Sequence, residues 1–213
     1  ASSTYLENLD ALVQDGALSS DQIDEMVRPI LAAKIRMGLF EQPYVDESLL
    51  EQVVALPEHR QTARWSAQRS MVLLKNEGGL LPLSKEQKNI AVIGPLADSM
   101  EATEGSWMVF GHQPAAVTVL AGIQAKLQGA NITYAPGPDI NRDVPHPFGE
   151  FNMSERKPIE TPEEAEVAFQ TAVATAKDAD LVIMVLGEKA DMSGEFASRG
   201  SLDLPGRQEE LLQ

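Results

Sequence analysis

The sequence contains no cysteine, which excludes disulfides and thiolate chemistry and leaves the redox compartment open. It has three histidines, His59, His112 and His146. They are far apart and lack the spacing of a ligand set, so they read as structural or surface residues and no metal is expected. Basic residues are scarce: 17 Lys and Arg stand against 32 Asp and Glu, a net charge of −15. That balance argues against nucleic acid or an anionic membrane surface as a partner, and says nothing against a neutral sugar. No apolar run approaches the roughly 20 residues of a membrane-spanning helix. No basic-then-apolar leader opens the sequence either. Phosphate-binding loops are missing as well. The segment VIGPLADS lacks G-x-G-x-x-G, its Pro95 removes a phosphate-facing N–H, and the next helix is long delayed. Nucleotide binding is therefore disfavoured and no cofactor is expected.

The 213 residues are 43% hydrophobic and 23% charged, ordinary for a soluble globular chain with room for one large domain or one and a half smaller ones. The most informative stretch runs from Leu181 to Arg199. Leu181 to Leu186 is apolar at every position, which predicts a strand covered on both faces. A helix precedes it, opened by a capping box at Thr161-Pro162-Glu163-Glu164 and running to about Lys177. The pair implies a parallel βαβ unit.

Earlier in the chain, Ile90–Ile93 reads as a short buried strand ending at Gly94-Pro95, Val119–Leu127 as a helix and Ile132–Tyr134 as a second strand. A proline-rich polar insertion follows, and another helix starts after Pro205. Strand and helix alternate as in an α/β fold with a parallel sheet. Residues 1–40 differ, with two amphipathic helices and a capping box at Ser19 and Gln22. Two helices without a sheet cannot form a core, so they are expected to pack on something upstream. Residues 41–57 have the loose character of a connector. A helix after Pro57 carries Trp65 and the apolar residues up to Leu74, with Trp65 read as helix packing.

In open α/β sheets ligands bind at the carboxyl ends of strands, and two strand ends here carry unusual loops. One spans Gly94–Gly111 and includes Gly105-Ser106-Trp107. In that polar setting Trp107 either caps the sheet edge or offers an apolar platform to a sugar ring, and both readings stand. The other runs from Gly187 to Arg199 and holds Glu188 and Glu195. A lone acidic loop residue is usually solvated surface. Glu195 stands out because Ser193-Gly194 frees the backbone before it and Arg199, four residues on, could orient it. Glu188, fixed at the strand end, reads as a structural residue bonding nearby loop N–H groups. A general acid for glycoside cleavage needs a raised pKa. Under a retaining mechanism it also needs a carboxylate partner about 5–5.5 Å away, and no strong candidate is visible.

The segments KIRMGLFEQPY (34–44), SMVLLKNEGGLLPL (70–83), IAVIGPLADS (90–99), EGSW (104–107) and VLGEKADMSGEFASR (185–199) together resemble, in order, glycoside hydrolase family 3. The likeness is strongest to its bacterial β-glucosidases and weakest at the insertion, about 139–158. The resemblance implies a TIM barrel followed by an α/β sandwich. Residues 1–40 would be the last barrel helices, 41–87 the connector and 88–213 the first part of the sandwich. It further implies exo-acting, retaining hydrolysis of β-glucosides, with Glu195 as acid/base and Ser106, Trp107 and Arg199 as substrate-binding residues. The nucleophile would be an aspartate upstream of Ala1, so the isolated chain is expected to be inert. The rest of the same enzyme would be its partner. A homodimer is compatible with the resemblance, and a periplasmic or secreted location is expected. A β-xylosidase or β-N-acetylhexosaminidase of the family, or a non-catalytic carbohydrate-binding module, are the alternatives.

Overall fold

The computed structural model of the chain describes residues 2–54, 56–107, 116–141, 159–194 and 197–213. The chain divides into two compact units, Ala1–Lys75 and Asn76–Gln213. Glu195, His112, His146 and most of the 139–158 insertion lie outside the described residues.

The first unit is helical, as expected. Helix α1 spans Ser2–Gln14 and α2 spans Ser20–Arg36. The α2 capping box forms in both directions: Gln22 N–H donates to Ser19 Oγ at 3.2 Å, and Ser19 N–H donates to Gln22 Oε1 at 2.9 Å. The start of the connector holds a 3₁₀ turn, Glu47–Leu49, and a short α3, Leu50–Val53. Helix α4, Pro57–Ser70, ends earlier than the apolar run to Leu74 suggests, with Met71 already extended. Four consecutive apolar residues carry no 3.6-residue spacing and so give a helix no face. Trp65 is 55% exposed in this chain, with Arg69 over its ring at 5.3 Å. None of the described residues in this unit is buried, and Met26, Ile30 and Ile35 on α2 remain exposed.

The second unit is the α/β part. Strands β1 (Asn89–Ile93), β2 (Asn131–Ala135) and β3 (Leu181–Met184) form a parallel sheet in the order β2-β1-β3. Between them in sequence lie α5 (Met100–Glu104), α6 (Val119–Lys126) and α7 (Pro162–Lys177), and α8 (Gln208–Leu212) follows. Side chains of β1 alternate between the two faces, and both are covered. Ile90 and Val92 join Leu120 of α6 in one cluster, and Ala91 and Ile93 join Ala135 and Ala172 of α7 in the other. All four apolar residues of β1 are essentially inaccessible. At about 1.5–3 kcal/mol for each large side chain, this strand is the main source of burial in the unit.

One expectation needs correction here. The fully buried strand is β1, whereas β3 is only partly covered in this chain, with Leu181 and Ile183 on one cluster and Met184 on the other. Strand β3 pairs only with β1 among the described residues, and Val182 is exposed. An uninterrupted apolar run reports a strand's composition but not its place in the sheet.

Helix α7 starts as its sequence predicts, with Thr161 and Glu164 capping each other reciprocally. The Thr161 backbone N–H, then its hydroxyl, hold the Glu164 carboxyl below the ordinary carboxylate range. A lowered folded-state pKa means that this cap stabilises α7 above the ordinary carboxylate pKa and is lost as pH falls through the lowered value.

The tightest backbone approach is at Gly94, just past β1. A Cβ added there would lie 2.2 Å from the Val185 carbonyl oxygen, and its φ is 126°. Gly94→Ala is therefore expected to destabilise the chain by about 2–4 kcal/mol in urea unfolding. Gly129→Ala, which meets nothing within 4 Å, should stay within about 0.5 kcal/mol of the parent.

Candidate active site

Parallel pairing puts the carboxyl ends of β1 and β3 side by side, because Ile93 is the register partner of Met184. The Val185 N–H extends the ladder by donating to Ile93 O at 2.7 Å. The loop beginning at Gly94 and the loop beginning at Gly187 therefore leave the same edge of the sheet as neighbours.

The first loop is built by short-range capping. Ala97 is fully buried and its carbonyl accepts from Leu120 N–H at 2.9 Å, tying the loop to α6. Asp98 accepts from the buried Thr118 hydroxyl at 2.8 Å. Burial, with the Asp98 charge adding to it, pushes the Tyr134 phenol on neighbouring β2 upward. Ser99 caps α5 by accepting from Ala102 N–H at 3.1 Å, a short helix within what the sequence suggested was all loop. Gly105, at φ 80°, stops that helix and releases Ser106 and Trp107, both exposed.

The second loop has a 3₁₀ turn at Ala190–Met192, anchored by the fully buried Met192. Ser193 and Gly194 follow, and Ala197 N–H donates to Gly194 O at 3.3 Å. At Gly194 the two loops meet. A Cβ built there would lie 3.3 Å from Ser106 Cβ and 3.9 Å from Trp107 Cε2. Three predicted site residues can thus be placed: Ser106 and Trp107 beside Gly194, and Arg199 at the base of the second loop. Glu195 itself lies outside the described residues.

The described contacts of Arg199 are with its own loop. Its Nη1 donates to Glu188 Oε1 at 2.7 Å and its Nη2 donates to Asp203 O at 2.6 Å. Glu188 thus holds a cation, where bonds to loop N–H groups were expected. The pair clasps the two ends of the loop.

Two further anchors were missed. Lys189 Nζ donates to Asp139 Oδ1 at 2.7 Å and also to Asn141 Oδ1. Asp139 N–H in turn donates to Glu160 at 2.8 Å, tying the loop to the segment after β2. The available signal was that Asp139 and Asn141 follow the Pro136-Gly137-Pro138 stop, at the same carboxyl edge of the sheet. Gln208 holds Gly187 through its side-chain amide, a link across 21 residues that no local pattern announces. Among the described residues no cluster of His, Asp and Glu could hold a metal ion.

A parallel α/β unit with two such loops at one strand edge belongs to a defined class. Residues 71–213 match the Glycosyl hydrolase family 3 C-terminal domain, and the chain belongs to glycoside hydrolase family 3. Among its relatives is the periplasmic β-glucosidase of Salmonella typhimurium, 37% identical over 98% of this chain and 28% of that protein. A β-xylosidase of Formosa agariphila is 32% identical over 99% of this chain and 27% of that one. The crystal structure of a β-glucosidase from Listeria innocua in complex with glucose superposes with a TM-score of 0.74 at 29% identity, over 97% of this chain and 25% of that one. The chain thus spans little more than a quarter of these curated relatives' length.

The clasp predicts a measurable coupling. A double-mutant cycle of Glu188→Gln and Arg199→Met should give about 0.2–1 kcal/mol of interaction energy in chemical denaturation, falling in about 1 M salt because Glu188 is partly exposed. A coupling of zero at low salt would remove the clasp from the account.

Proposed function

We propose that this chain carries the acid/base loop of an exo-acting, retaining β-glucosidase whose nucleophile lies outside it. The observation that carries the reading is the close approach of Gly194 to Ser106 and Trp107 at the carboxyl edge of the sheet. It brings Gly194, the residue before Glu195 in the sequence, beside an exposed tryptophan, whose apolar face and polar edge suit a sugar ring.

In this reading Glu195 protonates the glycosidic oxygen as the leaving group departs. A carboxylate from the rest of the enzyme attacks the anomeric carbon and forms a covalent glycosyl-enzyme. Glu195 then takes a proton from water, which releases the sugar with configuration retained. Ser106 and Trp107 border the site. Arg199 shapes the loop through its pair with Glu188 and stays a candidate to bind the sugar. Residues 1–40 fit the last helices of a barrel, with the exposed apolar side chains of α2 as their contact face, and 41–87 fit the connector to the sandwich. A periplasmic or secreted location follows the name of the Salmonella relative. No described helix is long and apolar enough to cross a membrane.

A second reading, β-xylosidase, is favoured by the Formosa relative. Specificity between glucose and xylose turns on groups that meet the sugar's exocyclic carbon, and none can be assigned in this chain.

The test uses the full-length enzyme. It is expected to turn over nitrophenyl β-glucoside faster than the xyloside or the N-acetylglucosaminide, while the isolated chain stays inert. Glu195→Ala should lose about 10²–10⁴-fold on substrates with poor leaving groups and much less on dinitrophenyl glucoside. Azide should restore turnover and yield a β-glucosyl azide. Leaving-group dependence and azide rescue in Glu188→Ala but not in Glu195→Ala would invert the assignment.

A further inference from the structure

Gln208 is the first residue of α8 and is 2% exposed, one of two buried polar side chains among the described residues. Its Oε1 accepts from Gly187 N–H at 2.9 Å. Its Nε2 donates to Gly187 O at 2.8 Å and to Pro205 O at 2.9 Å. One carboxamide thus satisfies both main-chain groups of one residue, which requires a donor and an acceptor at fixed separation. Ionised Glu lacks the donor and Lys lacks the acceptor.

The residue held this way is where the second loop leaves β3. Gly187 has a φ of 154°, and a Cβ there would lie 3.2 Å from Leu96 Cδ1 of the first loop. Gly187 is thus pinned on one side by Gln208 and faced on the other by the loop that carries Ser106 and Trp107. Gly194, the point of contact with Ser106, lies seven residues further on. A small rotation at Gly187 is amplified over that length, and a misplacement near 1 Å can cost about 10²-fold in rate.

We propose that Gln208 is a positioning residue for catalysis: by holding both main-chain groups of Gly187 it sets where the acid/base loop stands. The proposal rests on the reading of Glu195 as acid/base. A purely structural Gln208 would satisfy buried backbone groups and no more. The two roles differ in what they predict for leaving groups.

In the full-length enzyme, Gln208→Glu and Gln208→Leu are compared with the parent on an aryl glucoside with a poor leaving group and on dinitrophenyl glucoside. Both variants are expected to lose about 10–100-fold in kcat/KM on the first and less than about threefold on the second. The loss in Gln208→Glu should shrink about tenfold toward acid pH, relative to the parent at each pH. A protonated carboxyl there can again donate to a carbonyl oxygen while accepting from Gly187 N–H. Gln208→Leu should show no such recovery. If Gln208→Leu fails to fold, the leaving-group and pH behaviour of Gln208→Glu decides alone. Equal losses on both substrates at every pH, with a lowered Tm, would overturn the proposal. Glu195→Ala measured in parallel separates the two levels. If it shows leaving-group dependence and Gln208→Glu does not, the positioning role fails while the acid/base reading survives. If Glu195→Ala itself shows none, the underlying reading fails and takes the proposal with it.

Discussion

Ile93 beside Met184 is the pairing on which the second unit depends. Because β1 and β3 run parallel and in this register, the chain leaves both strands at one edge, and Gly94 passes so close to the Val185 carbonyl that no side chain fits between them. The crossing fixes the roots of two loops far apart in sequence. From those roots the capped α5 and the 3₁₀ turn over Met192 bring Ser106 and Gly194 together. The candidate site follows from strand register, with glycine at the places where backbones nearly touch.

The anchors of the second loop differ in kind. The Arg199–Glu188 pair is partly open to water, where screening and side-chain entropy leave an ion pair worth no more than about 1 kcal/mol. The Gln208 amide is buried, and each of its hydrogen bonds contributes about 0.5–1.5 kcal/mol. Removing the amide would also leave main-chain groups of Gly187 and Pro205 unpaired, at about 1–3 kcal/mol each. The root of the loop is therefore held more firmly than its flank. That gradient suits a segment that must present one side chain accurately while leaving room for substrate to enter.

Much of this architecture is legible in the sequence, because it is locally encoded. The capping boxes at Ser19 and Thr161 mark α2 and α7, and the apolar runs at Asn89–Ile93 and Leu181–Met184 mark strands. The two unusual loops can be picked out, since their glycines and polar residues follow strands directly. Strand order is not legible: β1 and β3 have similar composition, and only the sheet shows that β1 is central. Partners of the charged residues are hidden for the same reason. Arg199 is as close in sequence to Glu195 as to Asp203, yet its described contacts are Glu188 and the Asp203 carbonyl. The Lys189–Asp139 and Gln208–Gly187 links span 50 and 21 residues and exist only once the sheet has formed.

The account's central claim is that the Gly187–Arg199 loop and the loop carrying Gly105-Ser106-Trp107 meet at Gly194 and Ser106. Because the chain has no cysteine, the double variant Ser106→Cys, Gly194→Cys tests this without background thiols, with Gly194→Cys alone as the control for strain at its φ of 108°. The Cβ separation of 3.3 Å is close to the roughly 3.5–4.5 Å of a disulfide. Mild oxidation of the dilute, folded chain should consume both thiols in an intramolecular bridge, read by thiol titration and by mass. If both thiols stay free while circular dichroism shows the fold intact, the loops do not meet there and the account is contradicted.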